Sequence, residues 1–302
     1  MPISRIYVIL NPTAGRGAAE RAWEAVRAVL EGAGAEWEVA RTTGRGHAMT
    51  LAEAAARAGW PAVLAMGGDG TVHETANGLM RAAEDGFSAA LGIVPVGSGN
   101  DFALLAKAPR DAASAARAAL AGRTRAVDIG RLRVGGDARW FTNGVGIGLD
   151  AAVAVEANRN RRLRGMGIYL SALAKVLFRF RPPRMRVTVD GETFERALTL
   201  VTIANGGRHG GGFWLCPSAK IDDGVFDVCA CDALSKPAIL RFLPKVIRGT
   251  HVGESCVSMR RVRRVAIAAH DPVPVHADGE IIAESARQLE AEIIPGGLRI
   301  LG

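Results

Sequence analysis

Aromatic residues are scarce, at 5% of 302 residues. With 49% hydrophobic residues overall, a substantial core is possible, but it must be built mostly from Ala, Val, Leu and Ile. Cysteine is also rare. Cys216, Cys229, Cys231 and Cys256 form no C-x-x-C pair, so zinc-site spacing is excluded and reduced packing residues of a cytosolic protein are expected. The six histidines show no metal-ligand spacing either. No run reaches the roughly 18–20 uncharged apolar residues of a spanning helix. The opening run Arg5-Ile6-Tyr7-Val8-Ile9-Leu10 is too short for a signal-peptide core, so a cytoplasmic protein meeting any membrane from its surface is expected. A net charge of +8 suits anionic partners, whether nucleotide, membrane surface or nucleic acid, without choosing among them.

The first part of the chain alternates short β-branched runs with Ala-rich stretches. Ile6 to Leu10, Trp37 to Ala40, Pro61 to Met66 and Leu91 to Pro95 read as strands. Ala18 to Glu31, Ala48 to Ala58, Val72 to Ala83 and Ala112 to Ala121 read as helices. That alternation predicts a Rossmann-like, mainly parallel α/β domain over residues 1–126. From Val127 the texture changes to strand-like pieces with Gly-rich turns: Val127–Val134, Trp140–Asn143, Met185–Val189, Leu198–Ala204, Val225–Cys229, Val262–Ala268 and Leu289–Ile294. Helical patterns interrupt it at Ala151–Asn158, Tyr169–Phe178 and Pro237–Arg248. Residues 127–302 are therefore expected to form a mainly antiparallel, β-sandwich-like domain, whose last segment has the option of returning to the first.

Neither G-x-x-x-x-G-K-[ST] nor G-x-G-x-x-G occurs, which excludes a P-loop and weakens a dinucleotide dehydrogenase reading. Instead, three Gly-rich loops each follow a predicted strand: Asn11-Pro12-Thr13-Ala14-Gly15-Arg16-Gly17, Gly67-Gly68-Asp69-Gly70-Thr71, and Pro95-Val96-Gly97-Ser98-Gly99-Asn100-Asp101. Glycine lets a backbone approach a bulky anion closely, and amides at a following helix start face phosphate oxygens. Ligands of such sheets bind beyond the C-terminal strand ends, so the three loops predict one phosphate-lined crevice.

The ordered set Asn11-Pro12-x-x-Gly15, Gly67-Gly68-Asp69-Gly70-Thr71-x-x-Glu74-x-x-Asn77-Gly78 and Gly97-Ser98-Gly99-Asn100-Asp101-Phe102 resembles the catalytic domain of the diacylglycerol kinase family, most closely its soluble bacterial lipid kinases. The resemblance continues through Val127-Asp128-Ile129-Gly130, Phe141-x-Asn143-x-x-Gly146-Ile147-Gly148, Pro217-x-Ala219-x-x-Asp222-Asp223-Gly224 and Asp278-Gly279-Glu280. Ser98 stands where many members have Thr and keeps the hydroxyl. The resemblance implies ATP-dependent phosphorylation of a lipid hydroxyl, with diacylglycerol the first candidate. It implies nucleotide contacts at Asn11, Pro12, Thr13, Ala14, Gly15, Thr42, Gly67, Gly68, Asp69, Gly70, Thr71, Val72, His73 and Ser98.

Phosphoryl transfer needs positioned reactants and neutralised phosphate charge, usually with Mg2+. Asp69 stands inside a Gly loop within reach of a metal or its water, and Asp101 lies just past the third loop. The resemblance assigns proton acceptance to Glu280. It also implies a second, structural Mg2+ held by the main-chain carbonyls of Lys220 and Val225 and the carboxylate of Asp223. Phosphatidylglycerol, a sphingoid base or another lipid alcohol remains open as acceptor. An NAD kinase shares the GGDGT logic, but the Asn11-Pro12 opening and the Gly99-Asn100-Asp101-Phe102 loop resemble the lipid branch. A nucleotide-binding protein that lost catalysis is the third reading, opposed by retention of Asp69, Asp101, Asp223 and Glu280. No nucleic-acid partner is expected, and oligomeric state is unreadable.

Residues 159–186 carry Arg159, Arg161, Arg162, Arg164, Lys175, Arg179, Arg181, Arg184 and Arg186 and no acidic residue. Leu170, Leu173 and Leu177 recur at helical spacing. A basic amphipathic segment of this kind is expected to tether the chain to an anionic membrane surface, with its apolar stripe partly in the core.

Overall fold

The computed structural model describes residues 2–159 and 166–302. The chain divides into two compact units, one of residues 1–128 with 296–302, the other of residues 129–295.

In the first unit, β1 (Arg5–Leu10), β2 (Glu36–Arg41), β3 (Ala62–Gly67) and β4 (Ala90–Pro95) form a parallel sheet in the order 2-1-3-4. Beyond β4 the last strand of the chain adds in parallel, with Ile300 opposite Leu91. Helices α1 (Ala18–Gly32) and α5 (Ala112–Leu120) pack together, as do α2 (His47–Arg57) and α3 (Asp69–Glu84). Ile6, Val8 and Leu10 bury one side of β1 in a cluster with Trp23, Val26 and Leu30 of α1 and Ala116 of α5. Period-2 strands against period-3.6 helices produce that layer. With helices covering it, β3 is buried throughout and is apolar without alternation. A short helix, α4 (Asp101–Leu105), follows the third Gly loop.

The second unit is antiparallel. Its strands are β5 (Thr124–Val134, entering from the first unit), β6 (Asp137–Phe141), β7 (Gly144–Gly148), β8 (Arg184–Val189), β9 (Glu192–Ala204), β10 (Phe226–Asp232), β11 (Val257–Val262), β12 (Arg264–Ala277) and β13 (Glu280–Leu301, leaving to the first unit). β7 pairs with β9 and β12, and β8 pairs with the same two strands. Val145, Ile147, Val187, Val201, Ile203, Val265 and Val275 fill the core, with Phe141 stacked on Phe226 at 5.4 Å between centroids.

Three further helices, α6 (Leu149–Arg159), α7 (Met166–Arg179) and α8 (Lys236–Arg248), share a smaller cluster of Leu149, Val153, Leu173, Leu177 and Ile239. Leu173 and Leu177 of the expected stripe are thus core, whereas Leu170 is 44% and Phe178 80% exposed. Arg161, Arg162 and Arg164 lie outside the described residues. Of the other cations, Arg159 pairs with Glu284, Lys175 with Glu156, and Arg184 and Arg186 both with Glu195. Among the described residues no helix is long and apolar enough to cross a membrane.

Candidate active site

In the first unit the chain steps from β1 to β2 on one side, then to β3 on the other side of β1. The connections from β1 and β3 therefore diverge at the C-terminal strand ends, the switch point at which open α/β sheets bind ligands. The first two Gly loops emerge there, and the third leaves β4 beside them. The Asn11 amide donates to Met66 O at 3.0 Å, and its side-chain Nδ2 donates to Thr71 Oγ1 at 3.0 Å. Thr13 Oγ1 donates back to Asn11 Oδ1 at 2.9 Å. Val96 N donates to Gly67 O at 3.0 Å. The loops also meet backbone to backbone. A Cβ on Gly97 would stand 2.5 Å from Gly68 Cα, and one on Gly15 would stand 2.2 Å from Val96 O. No side chain fits at either place, so these glycines set the closeness of the three loops.

Asp69 opens α3 and Asp101 opens α4. Asp69 Oδ1 accepts from Phe102 N at 3.4 Å. Burial pushes the Asp69 carboxyl up to about 6, and the nearby Asp101 charge adds to the rise against the amides of residues 100–102. Asp101 is 4% exposed. Two carboxylates so placed favour a cation between or beside them.

The GGDGT-x-x-E-x-x-N-G stretch divides into two kinds of residue. Gly67 to Thr71 line the loop. Glu74 accepts from Gly46 N at 2.7 Å and Ala48 N at 3.1 Å, capping the start of α2. Asn77 Nδ2 donates to His73 O at 2.8 Å, and a Cβ on Gly78 would stand 2.1 Å from Met49 O. This second half fastens α3 against α2. Val72 and His73 are buried in α3, Ser98 is exposed between β4 and α4, and Thr42 follows β2 with its amide on Leu10 O at 2.9 Å.

Glu280, Lys220, Asp223 and Val225 belong to the second unit. Glu280 starts β13, opposite Ala277, after the Asp278-Gly279 turn. Asp278 Oδ1 accepts from Asn143 N and Gly144 N, both at 2.9 Å. Its Oδ2 accepts from Thr142 N at 2.8 Å and Thr142 Oγ1 at 3.1 Å. Below the turn, His276 Nε2 lies 3.1 Å from Asp150 Oδ2. Burial opposes charge on both, but each partner outweighs it, so the His276 pKa is raised and that of Asp150 lowered. His209 packs over Gly144, where a Cβ would stand 2.4 Å from its Cε1.

At the expected second metal position, Asp223 Oδ2 accepts from Arg261 Nη2 and Oδ1 accepts from Val225 N at 3.4 Å. Asp227 is close by, held by Ser218 Oγ at 2.9 Å. Among the described residues no three His, Cys, Asp or Glu side chains gather as a metal group. Sequence reading missed Asp150, His276 and Arg261 because their partners are remote in the chain. The capping role of Glu74 was hidden for the same reason, since the amides it accepts from lie 26 and 28 residues away.

A family model described as the diacylglycerol kinase catalytic domain matches residues 5–132. One described as the YegS C-terminal NAD kinase beta sandwich-like domain matches residues 143–302. The chain is 33% identical over 306 residues to a diacylglycerol kinase of Mycobacterium tuberculosis, covering 99% of this chain and 95% of that one. It is 30% identical to a diacylglycerol kinase of Bacillus subtilis, covering 92% and 90%. A crystal structure of a diacylglycerol kinase from Bacillus anthracis superposes with a TM-score of 0.73 at 21% identity, covering 99% of this chain and 96% of that one, which shows a shared fold. With both units matched and the relatives spanned almost end to end, the chain belongs to the diacylglycerol kinase catalytic-domain family of lipid kinases.

Proposed function

We propose that the protein transfers the γ-phosphoryl group of ATP to the free hydroxyl of diacylglycerol, giving phosphatidic acid and ADP. The observation that carries the reading is the pair of half-buried Asp69 and buried Asp101 inside three interlocked glycine loops. Backbone amides there suit phosphate oxygens. In this reading Asn11, Pro12, Thr13, Ala14, Gly15, Thr42, Gly67 to His73 and Ser98 hold the nucleotide. Glu280 accepts the proton of the acceptor hydroxyl as its oxygen attacks phosphorus.

The donor chemistry fits a hard cation in two places. Asp69 and Asp101 are oxygen donors whose mutual repulsion a cation would relieve. Asp223 with the carbonyls of Lys220 and Val225 is an all-oxygen set, with Arg261 already on one carboxylate oxygen. Mg2+ held by these residues would supply charge neutralisation. The protein's own residues bind the nucleotide, aim the acceptor and take its proton. We place the chain in the cytoplasm, reaching its lipid by peripheral contact with an anionic surface through the basic segment 159–186.

The test is transfer of labelled phosphate from ATP to diacylglycerol, phosphatidylglycerol, a sphingoid base and NAD in parallel. Label on diacylglycerol is expected; label on another acceptor would replace the substrate assignment. Glu280→Gln is expected to lower kcat about 10²–10⁴-fold with ATP affinity retained. Lost ATP affinity with surviving kcat would make Glu280 a nucleotide contact instead.

A further inference from the structure

Glu280 leaves a turn that is anchored to a buried polar pair on another element. Asp278 (φ +50°) and Gly279 (φ +86°) are both left-handed, the geometry of a type I′ hairpin turn. The Gly279 amide donates to His276 Nδ1 at 3.3 Å, while the opposite ring nitrogen, Nε2, faces Asp150 Oδ2 at 3.1 Å. His276 is 5% exposed. A Cβ on Gly146 would stand 2.2 Å from Asp150 Oδ2 and 2.3 Å from His276 Nε2, so a glycine of β7 makes room for this contact. A ring nitrogen that accepts from an amide carries no proton. The neutral ring therefore holds its hydrogen on Nε2 and donates it to Asp150.

We propose that Asp150 and His276 are positioning residues for Glu280: the carboxylate fixes the imidazole tautomer whose Nδ1 captures Gly279 N–H, and that capture sets the direction in which Glu280 leaves the turn. The proposal rests on Glu280 being the proton acceptor. It also builds a pH response into the turn. The charged groups around the ring are Asp150 from α6, Asp278 from the turn, and His209, which acts on Asp150. Burial favours the neutral ring, but Asp150 and then Asp278 outweigh it, so His276 protonates above its ordinary 6.5. Protonation at Nδ1 sets two donors face to face and releases the amide. As pH falls through the raised pKa of His276, turnover drops. Stability runs the opposite way: the imidazolium–carboxylate pair contributes stability at low pH that is lost as pH rises through the raised pKa of His276.

The test is kcat against pH for His276→Phe, His276→Asn and Asp150→Asn, each with Glu280 and with Glu280→Gln. Misplacement of a reacting group by about 1 Å costs on the order of 10²-fold, so His276→Phe should lose roughly 10–100-fold in kcat with ATP KM nearly unchanged. In His276→Asn the amide oxygen replaces Nδ1 without titrating, so most of kcat survives and the acid limb due to His276 disappears. Asp150→Asn should move that limb to lower pH. The His276→Phe loss should vanish in Glu280→Gln, where no proton acceptor is left to aim. Equal loss in both backgrounds, or an acid limb unchanged in His276→Asn, would overturn the positioning role. Full activity of Glu280→Gln alone would overturn the proton-acceptor reading, and this one with it. Should His276→Phe fail to fold, the Asn variants carry the same pH test.

Discussion

The loop after β3 and the turn between β12 and β13 both present Asp-Gly, yet their aspartates live under opposite conditions. Asp69 is half-buried beside a like charge, and desolvation with that charge raises its carboxyl to about 6. Asp278 is surrounded by donors, with three backbone N–H groups and a hydroxyl on its two oxygens. The surroundings of the first oppose its charge, as suits a carboxylate that works beside a cation. The second ties its turn to the start of β7. Local sequence does not separate them; the sign of what surrounds each carboxylate does.

The largest effect expected from this contrast is at Asp69. Asp69→Asn keeps the shape and removes the charge, which should lower turnover on the order of 10²–10³-fold. The same change should raise stability in the absence of Mg2+. A carboxyl whose folded pKa lies above its unfolded value favours folding when protonated. That contribution is lost as pH rises from 3.8 toward about 6, so the variant's advantage should grow over that window and then level off. Its size is on the order of 2–3 kcal/mol at neutral pH. Denaturant melts across pH check it, and a destabilised Asp69→Asn would show that the carboxylate is structural after all.

Asp278→Ala should break the comparison from the other side. Three amides and a hydroxyl lose a charged acceptor, with an expected loss of stability on the order of 2–4 kcal/mol. Asp278→Asn, which keeps an acceptor oxygen, should fall between. Urea unfolding measures both, and a neutral Asp278→Ala would return the residue to the rank of an ordinary turn aspartate.

Much of the α/β unit was legible because its strands and helices differ in period and in residue type, and helix and strand positions agree within a few residues. The loops could be placed on strand ends for the same reason. What escaped reading has specific causes. β7, with the sequence Gly-Val-Gly-Ile-Gly, lacks the side chains that show alternation. Gly144 makes room for His209, Gly146 for the Asp150–His276 pair, and Gly148 takes a φ of +86° against Thr199 O, where a Cβ would stand 2.8 Å away. That pair joins residues 126 apart, beyond any local pattern. α4 has five residues, too few for a helical period. The motif around Asp69 was legible as one signature, yet Glu74, Asn77 and Gly78 turn out to fasten α3 to α2.

A third Asp-Gly, Asp223-Gly224, sharpens the contrast with the smallest effect. Its carboxylate already has a cation, the Arg261 guanidinium. The Arg261 side chain is 60% exposed, and exposed ion pairs contribute about 0–1 kcal/mol. Asp223→Ala should therefore change stability little without Mg2+. If Asp223 and the carbonyls of Lys220 and Val225 hold Mg2+, the wild type gains stability as Mg2+ is added, because a ligand of the native state alone shifts unfolding. Asp223→Ala should lose most of that gain, and Arg261→Gln, by freeing the carboxylate, should enlarge it at low Mg2+. Thermal melts over a Mg2+ series distinguish the outcomes. An identical Mg2+-dependent shift in all three proteins would leave Asp223 as the anchor of a surface turn. It would then stand with Asp278, as an aspartate that serves structure, rather than with Asp69.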